Sequence, residues 1–325
     1  MHKTADAIVF LKVKKRYQVL LIKRKNPPFQ GEWAFPGGFI EDNEDPLDAC
    51  LRELFEETDL TLNKGQALPL KIRQKSGRDP RGETLTHPFL FVIDNLPTIK
   101  AKDDAEVAVW VDLDKIDKLA FDHGAILCEA LGELIPLSDP QYKKEGVVFF
   151  GGSFNPWHEG HTECVKLFLK DHADKLLIIV PDTSPWKKEV TNDGHFCHYQ
   201  SLKCLRDKLK DYPVVVYPGF YGQETPNPTA KWFLKVSARK KGLLVGDDQF
   251  AALKNWENAS ALIAAMDFVF VVPRNLTDNE RGLVKNELLS INKKIEIILL
   301  SDHEYKHVSS TKLRNGHEKR KLAHN

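Results

Sequence analysis

The chain has 325 residues and a formal net charge of +1, with 42% hydrophobic and 29% charged residues. At roughly 100–200 residues per domain, this length predicts two domains that are each large enough to bury a core. The balanced charge excludes a long-range field that would attract nucleic acid or an acidic membrane surface. We therefore expect neither as a partner, and any anion site must be local.

Cysteine usage and hydropathy both bear on the compartment. The five cysteines include no CxxC pair, and an odd number in a long chain predicts free thiols rather than disulfides or a zinc site. No apolar run reaches membrane-spanning length, and the first residues carry no apolar signal region. We therefore expect a cytoplasmic protein. The sequence leaves the oligomeric state open, and a homo-oligomer is compatible with it.

The residues before position 138 predict a domain that mixes strands and helices. Strand patterns lie at residues 7–11, 18–22, 89–93 and 107–111. Apolar side chains that share one helix face follow Pro46, and residues 126–135 predict a second helix. The Pro-rich and charged residues 138–146 end this periodicity. We therefore predict a first domain at residues 1–137 and a linker at 138–146.

The second half of the chain has a different pattern. Short, continuous apolar runs lie at residues 147–150, 176–180, 214–217, 243–245 and 268–272. Helical patterns separate most of these runs. Strands that are apolar on both faces and alternate with helices are typical of a doubly wound parallel sheet. We therefore predict an α/β, Rossmann-like domain at residues 147–325.

Three carboxylates share one face of the first predicted helix. Glu53, Glu56 and Glu57 have i, i+3, i+4 spacing, and each exposed like-charge pair costs a few tenths of a kcal/mol. A hard divalent cation would offset this repulsion, because Mg²⁺ prefers carboxylate oxygens. Arg52 lies beside this face and could brace a carboxylate. The alternative interpretation of the spacing alone is a solvated acidic helix face.

The segment around these glutamates resembles the Nudix box, Gly-x5-Glu-x7-Arg-Glu-U-x-Glu-Glu-x-Gly-U with U apolar. The positions that fit in register are Gly38, Glu44, Arg52, Glu53, Leu54, Glu56, Glu57 and Leu60. The resemblance implies an α/β/α sandwich with a mixed sheet. It also implies that Glu53, Glu56 and Glu57 are catalytic metal ligands, with Glu41 as an additional candidate. Asp59 stands where the family has Gly, which leaves a non-catalytic nucleotide sensor as an alternative.

A second string suggests the substrate of this half. Residues 77–82 resemble the Arg-Asp-Pro-Arg-Gly segment of Nudix proteins that act on or sense ADP-ribose, and residues 21–24, 33–38 and 119–123 resemble the same branch. The resemblance implies that Arg24, Arg78 and Arg81 bind the substrate, since guanidinium groups clamp phosphates. The alternative is that residues 77–82 form an ordinary turn, because Asp-Pro flanked by Gly is typical turn chemistry.

Glycines and histidines follow the first predicted strand of the second domain. His158 and His161 lie three apart at a predicted helix start, where backbone N–H groups favour an anion. The string resembles the Gly-x-Phe-x-Pro-x-His-x-Gly-His signature of HIGH-motif nucleotidyltransferases, and a later string resembles their Ser-Ser-Thr-x-x-Arg signature. The resemblance implies that His158, His161 and Arg314 are catalytic. It implies nucleotide contacts at Gly151, Gly152, Ser153, Phe154, Ser309, Ser310 and Thr311.

Further strings resemble bacterial nicotinate-nucleotide adenylyltransferases. Gly246 and Asp248 match a Gly-Ala-Asp-Gln string that would hold the ATP ribose, and Trp256 would lie beside the pyridine. Lys187 is the phosphate candidate of a Pro-x-His-Lys-like string. Lys231 stands where that family has an acid, so the acceptor stays open between nicotinate mononucleotide, nicotinamide mononucleotide and another phosphorylated compound.

Together, the resemblances imply a bifunctional enzyme of NAD metabolism. The first half would cleave ADP-ribose to AMP and ribose 5-phosphate. The second half would transfer an adenylyl group from its co-substrate ATP to the mononucleotide and release diphosphate. Both reactions would use Mg²⁺, although the residues do not distinguish Mg²⁺ from Mn²⁺.

Overall fold

A computed structural model describes residues 1–14, 16–74, 76–134, 146–154, 156–182, 198–221 and 227–308. The chain divides into two compact units, Met1–Leu134 with Lys187–Cys204 and Ile135–Trp186 with Leu205–Asn325. The predicted linker at 138–146 lies almost wholly outside the described residues, so its bounds stay a prediction. Within the described ranges, no helix is long and apolar enough to cross a membrane.

The elements of the first unit agree with the predicted mixture of strands and helices. The strands are β1 (His2–Val13), β2 (Arg16–Arg24), β3 (Trp33–Ala34), β4 (Gly37–Phe39), β5 (Leu68–Pro69), β6 (Thr84–Ile93) and β7 (Ala105–Asp112). The helices are α1 (Pro46–Thr58) and α2 (His123–Leu134). The short strands β3, β4 and β5 were not predicted, because two or three residues are too few to show a hydrophobic period.

The first sheet is mixed, as predicted. Its order is β3-β2-β1-β6-β5, with β4 paired to β1 and β7 paired to β2. β1 runs parallel to β6 and antiparallel to β2 and β4. Because β1 pairs with three strands, it places the glycine-rich strand β4 beside the centre of the sheet.

Helix α1 carries the predicted carboxylates and begins and ends with identifiable signals. Asp45 caps the N-terminus by accepting a hydrogen bond from the Leu47 N–H, and Pro46 occupies the first turn. The helix ends at Asp59, which has the left-handed dihedrals φ 61° and ψ 14°. Asp59 therefore adopts the conformation for which Gly is favoured, as short polar residues sometimes do.

The two helices of the first unit cover opposite faces of its sheet. Buried side chains of α1, including Cys50 and Leu54, pack with Ala5 and Ala7 of β1. The intervening Asp6 points to the other face, where its carboxylate lies 3.6 Å from His123 at the start of α2. This arrangement confirms the predicted α/β/α sandwich.

The second unit alternates strands and helices along the chain. The strands are β8 (Val147–Gly152), β9 (Leu176–Pro181), β10 (Val214–Val216), β11 (Lys241–Gly246), β12 (Phe268–Val272) and β13 (Glu296–Leu299). The helices are α3 (Glu159–His172), α4 (His198–Leu209), α5 (Thr229–Phe233), α6 (Asp247–Ala252), α7 (Ala259–Ala264) and α8 (Asp278–Ile291), and the residues of α4 up to Cys204 are counted with the first unit. Strand β13 was not predicted, because it is short and its side chains are half-buried or exposed.

The second sheet confirms the predicted doubly wound fold. Its order is β10-β9-β8-β11-β12-β13, and its paired strands run parallel. Separate buried clusters lie on its two faces, one with α5, α7 and α8 and the other with α3. The strand order reverses between β8 and β11, and in open α/β sheets ligands bind at the carboxyl ends of the strands at such a switch point.

Candidate functional site

In the first unit, the Arg52 guanidinium binds three carboxylates that lie on α1 or just before it. Its guanidinium donates to Glu44 at 2.8 Å, to Glu53 at 2.9 Å and to Glu56 at 3.1 Å. It also donates to the Phe39 carbonyl at 3.0 Å, which ties the helix to β4. The prediction that Arg52 braces a carboxylate is therefore confirmed, and the brace reaches three carboxylates.

The glycines of β4 bring the backbone up to two of the glutamates. The Gly37 N–H donates to the Glu57 carboxylate at 2.9 Å. A Cβ atom on Gly38 would overlap the Glu53 carboxyl group. Burial, together with the nearby charge of Glu53, raises the pKa of Glu57 to about 8. Burial also raises the pKa of Glu53, and the Glu56 charge adds to that shift.

These carboxylates fit a hard divalent cation by their chemistry. Glu53, Glu56 and Glu57 supply oxygen donors, and oxygen donors are the ligands that Mg²⁺ prefers. As placed, no group of three His, Cys, Asp or Glu side chains in the described ranges forms a ready metal site. Glu41 is exposed, and its backbone N–H donates to Glu44 at 2.9 Å. Its predicted role as a ligand stays a prediction.

Two arginines and two phenylalanines lie together near the carboxylates. The guanidinium carbons of Arg24 and Arg81 stand 5.0 and 5.5 Å from the centre of the Phe121 ring. Phe29 packs edge-on against Phe121 at 4.8 Å, and both residues have positive φ angles, 61° and 53°. Bulky residues in this conformation are rare outliers that cluster at functional sites. Sequence analysis did not assign a role to either ring.

Arg24 carries a charge that other described residues do not pair. Its Nε donates to the Pro28 carbonyl at 2.8 Å, and it forms no ion pair with a residue in the described ranges. Burial, together with the nearby charge of Arg81, lowers the pKa of Arg24. A partly buried guanidinium beside a second one is suited to bind an anion.

The predicted turn at residues 77–82 is present, and it separates the two arginines that it contains. Asp79 accepts from the Arg81 N–H at 2.9 Å, as in an Asx turn. Arg81 is partly exposed, whereas Arg78 is buried and pairs with Asp122 at 2.6 Å. Asp122 therefore holds Arg78 in the interior, and the predicted contact of Arg78 with the substrate stays a prediction.

In the second unit, strand β8 ends in two glycines, and a phenylalanine with a positive φ angle lies just beyond it. Gly151 and Gly152 close β8 at its carboxyl end, and Ser153 follows. Phe154 has a φ of 45°, and its buried ring packs against Phe150, Trp157 and His161. A nucleotide at this edge would therefore meet the backbone of Phe154 rather than its ring.

The two histidines meet at the start of α3, as predicted. His158 is the N-cap residue, and its ring stacks on His161 with the centres 3.7 Å apart. The His158 N–H donates to His161 Nδ1 at 3.3 Å. Burial, together with the charge of Arg274, lowers the pKa of His158. The stacked rings stand where helix N–H groups already favour an anion.

The end of β11 contributes the next predicted residues. β11 pairs in parallel with β8, so Gly246 and Asp248 follow a carboxyl end at the same edge of the sheet as the glycines of β8. The Asp248 side chain is 40% exposed, and its carboxylate lies 3.9 Å from the Arg274 guanidinium. Trp256 is half-buried against the core. Lys187, Ser309, Ser310, Thr311 and Arg314 lie outside the described residues, so their roles stay predictions.

Comparison with protein families agrees with the two sites. Residues 1–130 match the NUDIX domain, and residues 149–316 match the family described as cytidylyltransferase-like. The second match covers more than half of the 325 residues. The chain belongs to the cytidylyltransferase-like family and carries a NUDIX domain in its N-terminal part.

Individual relatives divide between the two halves. The chain is 43% identical over 116 residues to the ADP-ribose pyrophosphatase of Methanocaldococcus jannaschii, covering 35% of this chain and 66% of the relative. It is 33% identical over 135 residues to the ADPR responsive transcriptional repressor NtrR of Acinetobacter baylyi, covering 40% and 53%. It is 30% identical over 163 residues to a probable nicotinate-nucleotide adenylyltransferase of Campylobacter jejuni, covering 48% and 85%.

A solved structure is also similar to part of the chain. The bifunctional NMN adenylyltransferase/ADP ribose pyrophosphatase of Francisella tularensis, complexed with AMP and a Mn ion, is 36% identical over 41% of each chain, with a TM-score of 0.37. The chain thus spans about two thirds of the first relative named above, about half of the second and less than half of this structure.

The packing of Gly38 against Glu53 predicts the effect of a single methyl group. Gly38→Ala should displace the Glu53 carboxyl group and weaken Mg²⁺ or Mn²⁺ binding about 10-fold or more, because metal sites tolerate little displacement of a ligand. The matched control is Gly65→Ala, whose Cβ would meet nothing within 4 Å. Isothermal titration of each cation measures the effect. Unchanged cation affinity in Gly38→Ala would contradict the assignment of Glu53 as a cation ligand.

The raised pKa of Glu57 predicts proton-linked cation binding. Below a pKa of about 8 the carboxyl group keeps its proton in metal-stripped protein, so a cation must expel it. Affinity should therefore rise about 10-fold per pH unit towards pH 8 and level off above it. Titrations at pH 7 in two buffers of different ionisation enthalpy should show release of about one proton, and Glu57→Gln should abolish that release. Equal release in Glu57→Gln contradicts the assignment.

Proposed function

We propose that this protein is a bifunctional enzyme of NAD metabolism. Its first unit hydrolyses ADP-ribose to AMP and ribose 5-phosphate, and its second unit transfers an adenylyl group from ATP to nicotinate or nicotinamide mononucleotide. One observation carries each half. In the first, the buried Glu57 and the partly buried Glu53 place their carboxylates against Gly37 and Gly38. In the second, stacked histidines begin a helix at the switch point of a parallel sheet.

For the hydrolase, the chain supplies carboxylates for a cation and guanidinium groups for the phosphate oxygens. Mg²⁺ or Mn²⁺ held by Glu53, Glu56 and Glu57 would polarise phosphoryl oxygens and acidify a bound water. Arg24 and Arg81 bind the negative oxygens with several donors each. Water adds to one phosphorus, the bridging P–O bond breaks, and its oxygen leaves with the other phosphate. The relative that is 43% identical, an ADP-ribose pyrophosphatase, supports this choice of substrate.

The second candidate for the first unit is an ADP-ribose sensor. The similarity to an ADPR responsive transcriptional repressor favours it. The replacement of the family glycine by Asp59 does not favour a sensor, because Asp59 adopts the left-handed conformation expected of that glycine. The two candidates differ in turnover. Binding of ADP-ribose without AMP formation, in the presence of Mg²⁺ or Mn²⁺, would favour the sensor.

For the transferase, catalysis requires positioning rather than a protein nucleophile. A phosphate oxygen of the mononucleotide attacks the α-phosphorus of ATP, and diphosphate leaves with the electron pair of the broken P–O bond. His158 and His161 donate to the phosphates, with Lys187 and Arg314 as further donors. Asp248 accepts from the ATP ribose. A divalent cation, Mg²⁺ by preference, would neutralise the developing charge on the phosphates.

The proposed acceptor is a pyridine mononucleotide, and Trp256 is the residue that supports it. Trp256 is half-buried beside the aromatic core and would supply a flat surface for the pyridine ring. Lys231 lies exposed on α5, so it does not decide between the acid and the amide. Diphosphate release from ATP, measured with nicotinate mononucleotide, nicotinamide mononucleotide and other phosphorylated acceptors, identifies the substrate. Turnover only with an unrelated acceptor would contradict the proposal.

Two single substitutions should separate the two activities. Glu56→Gln removes a cation ligand and should lower ADP-ribose hydrolysis on the order of 100-fold, with adenylyl transfer unchanged. His161→Ala removes a hydrogen-bond donor to phosphate and should lower adenylyl transfer on the order of 100-fold, with ADP-ribose hydrolysis unchanged. Activity assays of both reactions on each variant measure this. Glu133→Gln on α2 and His172→Ala at the far end of α3 are matched controls. Loss of both activities from either change would contradict independent sites.

Arg24 should determine affinity for ADP-ribose. Arg24→Ala removes the unpaired guanidinium and should raise KM on the order of 10-fold or more, because hydrogen bonds to charged groups contribute this much. Arg24→Lys should recover only part of the affinity, since an ammonium group lacks the planar fork. Steady-state kinetics measures both. Arg16→Ala on the same strand is the control, and equal KM values for all three variants would exclude Arg24 from the substrate site.

A further inference from the structure

A guanidinium that the assigned residues do not include lies at the carboxyl edge of the second sheet. Arg274 follows β12, and its backbone is fixed by the fully buried Asp247. The Asp247 carboxylate accepts from the N–H groups of Arg274, Asn275 and Leu276 at 2.8, 3.1 and 3.0 Å. It also accepts from Arg281 at 3.0 Å. The hydrogen bonds to Asp247 therefore fix the backbone position of Arg274.

The side chain of Arg274 extends across this edge of the sheet. Its Nη2 donates to the Val308 carbonyl at 3.0 Å, and its Nη1 lies 3.9 Å from the Asp248 carboxylate. Val308 immediately precedes Ser309, the first residue of the second nucleotidyltransferase-like signature. One guanidinium therefore connects the loop of the proposed ribose anchor to the segment that leads into that signature.

The glycine at the end of β11 provides the room for this side chain. A Cβ on Gly246 would lie 3.0 Å from Arg274 Cδ and 2.6 Å from the Asp248 carboxylate. Contacts this close are rarely seen for real Cβ atoms, so a larger residue would displace Asp248, Arg274 or both. The Gly-Asp-Asp string is thus matched to the arginine that packs on it.

Arg274 also lies within electrostatic reach of the first turn of α3. Its charge acts with burial to lower the pKa of His158, whereas Glu159 acts to raise it. His161 stacks on the His158 ring, with the ring centres 3.7 Å apart. Nearly three quarters of the Arg274 side chain is covered, yet Asp248 at 3.9 Å is the nearest carboxylate that pairs with it among the described residues. Little negative charge therefore offsets this guanidinium.

We propose that Arg274 is a positioning residue of the adenylyl-transfer site. Its guanidinium holds the Val308 carbonyl beside Asp248 and sets the charge next to the histidine pair, so the groups that grip ATP keep a common geometry. The role of Arg274 in catalysis rests on the proposed adenylyl transfer. Its role in ATP binding does not, because ATP binding alone reports on the same geometry.

The test compares Arg274→Gln and Arg274→Lys in the full-length chain, with Arg239→Gln, an exposed arginine of the same unit, as the control. Arg274→Gln should weaken ATP binding on the order of 10-fold and lower kcat/KM for transfer by more than it lowers ADP-ribose hydrolysis. Arg274→Lys should recover part of the loss, because it keeps the charge but not the fork.

A proton titration separates positioning from simple destabilisation. The His158 imidazole, followed by nuclear magnetic resonance and assigned by its absence in His158→Gln, should titrate at higher pH in Arg274→Gln and near its wild-type position in Arg274→Lys. A structural role would lower the melting temperature without moving this titration. An unmoved titration with unchanged ATP affinity in Arg274→Gln overturns the proposal. If wild type binds ATP but transfers to no acceptor, the proposed function fails while weaker ATP binding still supports Arg274.

Discussion

The absence of a Cβ atom decides where charged groups stand in both units. In the first, Gly38 allows the Glu53 carboxyl group to lie against the backbone, and the neighbouring Gly37 donates its N–H to Glu57. In the second, Gly246 makes room for both Asp248 and Arg274. Because an interior is packed as densely as a crystal, a single methyl group at these points would move the charge that the site depends on.

Close packing also shifts the pKa of the groups that it buries. Burial, together with the nearby charge of Glu53, raises the pKa of Glu57 to about 8. Arg24 and Arg81 both lie near the Phe121 ring, and burial together with the Arg81 charge lowers the pKa of Arg24. Carboxylates favour a cation and guanidinium groups favour an anion, and the proposed metal-bound diphosphate would supply both. The second unit has a similar unbalanced charge at Arg274.

Local sequence patterns were sufficient for most of the elements. Strands such as β1 and β8 were predicted because their apolar runs are long enough to show a period or its absence. Helix α1 was predicted because its proline and its apolar face agree. The short strands β4 and β13 were missed, because their pairing is decided by neighbours distant in sequence.

The sequence by itself determined which residue types stand at helix starts, helix faces and strand ends, because these depend on spacings of a few residues. It was enough to bring Glu53 and Glu57 onto one face and His158 and His161 into one turn. Only the tertiary structure decided which charges find a partner. Arg78 is paired by Asp122, 44 residues away, whereas Arg24 has no ion pair with a described residue. Such pairings depend on packing between distant segments, which no short-range pattern encodes.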